Sequence, residues 1–326
     1  MEYISVIGGL ILLVIAGDKL VEGSVAIAEK FHVSKLIIGI TVVSFGTSAP
    51  ELVVGIDAAL AGVAEIALGN VVGSNIANIL LVLGIPALFY SFTCDDSEIR
   101  RSLIYMMLAT FLLVGLAFFG PFDVWQGTVM ISMLLVFLYF SIKRAKSNRQ
   151  ILKHDIDIAE RALEDVDPLS SVDLPLPKAA IITVLGLAGL ILGANILVDG
   201  ATIIARTLGV SEAVIGLTII AIGTSLPELT TSLVAARNNH GDVAMGNIIG
   251  SNLFNILAIM GITSLVAPIA VPQEFFTLDF PILIITSLML VPIAMGKIKI
   301  NRAIGSGFCL LYIAYLLYLG IQSNLI

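Results

Sequence analysis

Gly46-Thr47-Ser48-Ala49-Pro50-Glu51-Leu52 recurs 177 positions later as Gly223-Thr224-Ser225-Leu226-Pro227-Glu228-Leu229. Each copy sets a carboxylate, two hydroxyls and a proline inside a long apolar run. In a medium without water every unmatched polar group there is expensive, so such groups mark function or a tightly satisfied structure.

The surroundings of the two copies decide the fold class. Of 326 residues, 58% are hydrophobic and 13% charged, and the mean hydropathy is +1.05. These values lie outside the range of a water-soluble domain and describe an all-α polytopic membrane protein. The formal charge of −7 comes largely from one segment, Asp155 to Asp173, and gives no ground for nucleic-acid binding. Cys94 and Cys309 form no CxxC and have no neighbouring histidine, so neither a disulfide nor a zinc site is indicated. The N-terminal Met1-Glu2-Tyr3-Ile4-Ser5 lacks a basic n-region and reads as the start of an uncleaved first span.

Apolar windows long enough to cross a bilayer lie near 3–22, 36–60, 65–90, 102–120 and 124–142, then near 178–200, 212–237, 243–267, 277–295 and 303–321. The expected organisation is a first five-helix repeat over 1–142, a cytoplasmic linker over 143–177 and a second five-helix repeat over 178–326. With the 177-residue shift, 22 of the 50 positions from Leu36 to Ile85 are identical, without a gap. A repeat this strong indicates duplicated transporter architecture. Sixteen of the 17 Lys and Arg residues fall on one side of a ten-span topology, leaving Arg206 alone on the other. By the positive-inside rule both termini are then outside and the linker is cytoplasmic. An odd number of spans per copy makes the repeats inverted, so ten transmembrane helices with broken helices 2 and 7 bring their polar stretches together near the midplane.

Pro50 and Pro227 carry no N–H and crowd the preceding turn, which loosens the carbonyls around Ser44 to Thr47 and Ala221 to Thr224. A proline kink satisfied by Ser or Thr would explain one such segment; a glutamate beside the break in both copies argues for a hard-cation site. Spans three and eight carry Gly69-Asn70-Val71-Val72-Gly73-Ser74-Asn75 ending at Asn78, and Gly246-Asn247-Ile248-Ile249-Gly250-Ser251-Asn252 ending at Asn255. Gly69, Gly73, Asn70 and Asn75 read equally well as a close-packing face or as ligands. Asn78, Asn255, Ser74 and Ser251, deepest in their spans, are better ligand candidates. Glu51 and Glu228 together would be a double negative charge with no intramembrane Lys, Arg or His to balance it. Calcium, which takes 6 to 8 oxygens, balances that charge; so do several sodium ions held with Ser48, Ser225, Ser74, Ser251 and the two asparagines, or protons. An empty site of that charge resists occlusion, which gives a reason for obligatory exchange.

The repeated Gly-Thr-Ser-x-Pro-Glu followed by Gly-Asn-x-x-Gly-Ser-Asn resembles the alpha repeats of the calcium/cation antiporter superfamily, in its prokaryotic sodium/calcium exchanger branch. The resemblance implies a ten-helix fold with spans two, three, seven and eight at its core. It implies a secondary active antiporter of the cell membrane that extrudes calcium against sodium by alternating access, the first and sixth spans sliding over that core. Carried over by position, the calcium ligands are Glu51 and Glu228 with carbonyls of Thr47 and Thr224. The sodium ligands are Ser48, Ser225, Ser74, Ser251, Asn78 and the carbonyls of Ser44 and Ala221. Position 255 varies in the family, some members carrying aspartate; asparagine at both 78 and 255 removes one titratable group from this site. Proton/calcium exchange ranks second, because proton-coupled members differ around the glutamate.

Asp57 lies roughly 120° around an ideal helix from Glu51, its repeat partner is Val234, and it reads as a carboxylate reaching water at the span end. His32, His154 and His240 fall in loops or the linker, and the linker leaves no room for large regulatory domains and matches no EF-hand loop. A passive channel must release its ion quickly, which two buried glutamates disfavour. No nucleophile-and-base pair or histidine set in the spans suggests an enzyme, and no cofactor or obligate protein partner is indicated. The expected partners are calcium ions, sodium ions and the lipid bilayer.

Overall fold

The computed structural model describes residues 2–31, 35–92, 97–162, 174–209 and 221–322, with side chains of 145–162, 221 and 322 outside the description. Cys94, His32 and residues 212–220 of the window expected at 212–237 therefore lie outside the described residues, as does the side chain of His154.

Apolar runs of this length bury their backbone polar groups only as helices, and the described residues form helices joined by short turns and loops, with two isolated bridges, Phe92 with Ile300 and Phe122 with Ile269. The helices are α1 (Glu2–Phe31), α2 (Lys35–Thr47), α3 (Ala49–Leu60), α4 (Glu65–Phe89), α5 (Ser97–Ala117), α6 (Val124–Ala162), α7 (Leu176–Thr207), α8 (Ala221–Thr224), α9 (Leu226–Arg237), α10 (Gly241–Val266), α11 (Phe275–Ala294) and α12 (Arg302–Gln322). Among the described residues eight helices are long and apolar enough to cross a membrane, or nine if the bent pair α2 and α3 is one span.

Two of the helices outrun the hydropathy windows. α1 continues to Phe31, and α6 continues to Ala162, past the boundary expected at 142. Hydropathy reports where the membrane ends, whereas Gln, Leu, Lys, Ala, Glu and Arg beyond Lys143 are good helix formers in water too. Asp57 is exposed, in keeping with its reading as a span-end carboxylate, whereas His240 is half-buried at the start of α10.

Burial sorts the helices into a centre and a periphery. In α4 and α10, 78% and 89% of the most apolar window is enclosed, against 33% in α1 and 28% in α7. The two peripheral helices run antiparallel and touch backbone to backbone: a Cβ on Gly186 would lie 2.6 Å from the Leu20 nitrogen, and one on Gly193 3.1 Å from the Leu13 nitrogen. Small residues allow this approach, which replaces the hydrophobic drive that lipid does not supply.

Candidate ion-binding site

The two Pro-Glu stretches break their helices in the same way. Between α2 and α3 the chain turns by 42° at Ser48. Ser48 has φ −84° and ψ 6°, and Ser225, between α8 and α9, has φ −88° and ψ 5°. In both cases proline enters the first turn of the following helix, where its missing N–H is tolerated, and the carbonyl four residues before it, Gly46 or Gly223, loses its usual donor. The loosening is narrower than the sequence indicates. Ser48 N–H still donates to the Ser44 carbonyl at 3.0 Å, so the Ser44 oxygen has one lone pair engaged. Ala221 is the first described residue of α8.

Glu51 and Glu228 lie one residue past these prolines and are each 1% exposed. Glu228 is held by a hydroxyl of the opposite repeat. The Ser48 hydroxyl donates to Glu228 Oε1 at 3.2 Å. Thr47 Oγ1 donates to Asn247 Oδ1 at 3.2 Å and lies 3.5 Å from Ser251 Oγ. Ser44, Thr47, Ser48, Ser74, Ser225 and Ser251 are all buried.

The other side of the site comes from α4 and α10. Both helices widen into a π-helical turn that begins at the asparagine, Asn78–Val82 in one and Asn255–Ile259 in the other. Turns of this kind are concentrated at functional sites because they re-aim side chains within a helix. Asn78 and Asn255 are 1% and 0% exposed.

Five oxygens of this cluster are buried without any hydrogen-bond partner: Glu51 Oε2, Glu228 Oε2, Asn78 Oδ1, Asn255 Oδ1 and Ser225 Oγ. With both glutamates ionised, four of them are acceptors only, and an unmatched buried acceptor costs roughly 1–3 kcal/mol, more when charged. A cation is the group that satisfies several such oxygens together.

Two cavities border the cluster, and the one beside the helix breaks is unequal between the repeats; the other, of about 270 Å³, meets Asn70 and Ser74 of α4. Thr224 and Pro50 are partly exposed, while their repeat partners Thr47 and Pro227 are buried. The exposed pair borders a cavity of about 320 Å³ that also meets Val54, Asn195 and Asp199.

A family model described as sodium/calcium exchanger protein matches residues 1–143 and 178–320. The chain is a member of the sodium/calcium exchanger family. It is 30% identical to sodium/calcium exchanger MaX1 of Methanosarcina acetivorans, over 98% of each chain. It is 34% identical to inner membrane protein YrbG of Escherichia coli, over 86% of this chain and 85% of that one. The fold superimposes on the sodium-calcium exchanger NCX_Mj, soaked with Na⁺ and Ca²⁺, with a TM-score of 0.80 and 32% identity, covering 99% of this chain and 98% of that one.

Two further pairs of residues in this family member support the site. Asn70 Nδ2 donates to the Glu51 carbonyl at 3.5 Å and Asn247 Nδ2 to the Glu228 carbonyl at 3.3 Å, so each glutamate is tied at its backbone by the same repeat position. Asn75 and Asn252 bridge α4 and α10. The sequence left Asn70 and Asn75 open between packing and ligation; their recurrence at matched positions is the signal that both copies do the same work. Gly246 and Gly250 pack closely against Leu36, Ile40 and Ser44, whereas a Cβ on Gly73 would meet nothing within 4 Å and one on Gly69 only Phe275 at 4.0 Å, so the close-packing face read at Gly69 and Gly73 is instead found at their repeat partners.

Proposed function

We propose that the chain is a secondary active antiporter exchanging calcium for sodium by alternating access, in the direction of calcium extrusion across the cell membrane. The observation that carries this reading is the cluster of buried, unpartnered oxygens on Glu51, Glu228, Asn78, Asn255 and Ser225. Two carboxylates with neutral oxygens around them match the hard, oxygen-only coordination of calcium, and the same charge is balanced by sodium ions. Glu51 and Glu228 with carbonyls of Thr47 and Thr224 hold calcium. Ser48, Ser225, Ser74, Ser251, Asn78, Asn255 and the Ser44 and Ala221 carbonyls complete the sodium sites.

The reading includes ten transmembrane helices in two inverted repeats, 1–142 and 178–326, joined by a cytoplasmic linker over 143–177, with both termini outside. In that topology the exposed Thr224 and Pro50 face outward, and α1 with α7 slides over the central helices to exchange the open side. Support for the sliding pair comes from their continuous backbone contact and low enclosure; such rigid-body shifts are a common way to alternate access.

The test is calcium-45 uptake into proteoliposomes loaded with sodium, compared with vesicles under a proton gradient and under neither. Uptake driven by the outward sodium gradient is expected. Uptake that follows only the proton gradient would sink the sodium reading and install proton/calcium exchange in its place.

A further inference from the structure

Asn75 and Asn252 face each other where α4 crosses α10, 0% and 1% exposed. Their hydrogen bonds close a two-fold ring. Asn75 Nδ2 donates to the Asn252 carbonyl at 3.2 Å, and Asn252 Nδ2 returns a bond to the Asn75 carbonyl at 3.4 Å. The oxygen of each side chain is taken by the opposite helix: Asn255 Nδ2 donates to Asn75 Oδ1 at 3.0 Å, and Asn78 Nδ2 to Asn252 Oδ1 at 3.1 Å.

A carboxamide has nearly isosteric ends, one an acceptor and the other a double donor. For a cation the two are opposites: the oxygen attracts it and the NH₂ repels it. Turning the Asn78 amide over would set its oxygen against Asn252 Oδ1, two acceptors with no proton between them, and Asn255 meets the same restriction at Asn75 Oδ1. Asn75 and Asn252 cannot yield, because their own NH₂ groups are committed to backbone carbonyls. The Asn78 and Asn255 oxygens left over are the ones that stand buried and unpartnered.

We infer that Asn75 and Asn252 are positioning residues that fix the oxygen ends of Asn255 and Asn78 toward the ions, each acting across the repeat boundary. The ring also requires a hydrogen-bond donor at positions 78 and 255, which holds the fixed charge of the site to its two glutamates. This rests on the reading of the oxygen cluster as an ion site, and it pairs residues that sequence proximity would pair differently: Asn75 governs Asn255 and not Asn78, three residues along its own helix.

The crossed pairing supplies the experiment. Sodium binding is read as the sodium concentration giving half-maximal thermal stabilisation of the purified full chain, a measurement that does not require exchange. Asn75→Ala is expected to raise that concentration about tenfold, a size common for partners in one hydrogen-bond network. In an Asn255→Ala background the oxygen it positions is gone and the further effect of Asn75→Ala is expected to vanish, whereas in an Asn78→Ala background it persists in full. Equal losses in both backgrounds, as a general packing defect would give, would overturn the proposal. Should the alanine variants fail to fold, the same cycle is run with Asn75→Ser, Asn78→Ser and Asn255→Ser, which remove the carboxamide but keep a polar side chain; an effect of Asn75→Ser that persists undiminished in the Asn255→Ser background would overturn the proposal. Wild-type protein that binds sodium but does not exchange it would defeat the antiport reading and leave the ring to be judged by the same cycle.

Discussion

The Ser48 hydroxyl donates to Glu228 Oε1 at 3.2 Å, tying the helix break of one repeat to the carboxylate of the other. That bond orients one carboxylate oxygen and leaves Glu228 Oε2 unpartnered. Ser48→Ala removes a hydrogen bond to a charged group, worth about 1.5–3 kcal/mol. The expected result is a rise of at least about tenfold in the half-saturating ion concentration, measured by calcium-45 uptake into proteoliposomes. An unchanged concentration would show that the bond does not organise the site.

Glu51→Gln and Glu228→Gln keep the shape of the site and remove one charge each. At an effective dielectric constant near 20, a unit charge 4 Å from another is worth about 4 kcal/mol per unit, on the order of a thousandfold in affinity. Both variants are expected to lose sodium-dependent calcium uptake while eluting and melting as folded protein. Full coupled transport in either would remove the electrostatic basis of obligatory exchange.

Ligand-linked stability provides a check that needs no vesicles. A cation that binds the folded chain alone, at a hundred times its dissociation constant, adds about 2.7 kcal/mol. Calcium is therefore expected to raise the melting temperature of wild-type protein, and chelation to lower it again. Glu51→Gln is expected to abolish the shift.

Gly250 has no room for a side chain, since a Cβ there would lie 2.5 Å from the Ile40 carbonyl oxygen. Gly250→Ala is expected to destabilise by about 1–3 kcal/mol through overpacking. Gly8, whose Cβ would meet no described atom within 4 Å, is the control: Gly8→Ala is expected to be neutral or mildly stabilising, as alanine is the better helix former. Thermal melts of the two variants that coincide would contradict the packing assignment.

Asp199 is exposed beside the cavity that leads to Thr224. A carboxylate at such a mouth concentrates cations in a salt-dependent way. Asp199→Asn is expected to slow calcium uptake a few-fold at low ionic strength and hardly at all at high. A defect that persists at high salt would assign Asp199 a direct role at the ions.

How much of this was legible beforehand follows from what each feature depends on. Hydropathy and the 177-residue repeat located the helix windows that the described residues cover, and Pro50 marked the neighbourhood of the break, which falls at Ser48, because lipid imposes length and proline imposes interruption. Glu51, Glu228, Asn78 and Asn255 stood out as polar groups in apolar spans. The continuation of α6 to Ala162 did not, since membrane hydropathy is silent about helices in water. Nor did the ring of Asn75 and Asn252: a sequence gives the spacing of asparagines on one helix, but which of them meet depends on the crossing of α4 and α10. The engaged Ser44 carbonyl was hidden for a similar reason, as proline at 50 removes the donor to Gly46 and leaves the Ser48 donor in place.

Ser44 itself breaks the symmetry. Its hydroxyl donates to the Gly39 carbonyl at 2.6 Å, with the Asn247 carbonyl as an alternative acceptor at 3.0 Å, whereas its repeat partner is Ala221, which has no hydroxyl. In the proposed alternating-access cycle, interactions common to both copies would cancel when the two faces trade roles. The resting preference for one face would then be an equilibrium constant set by the positions where the copies disagree, with Ser44 a weight on one pan of that balance.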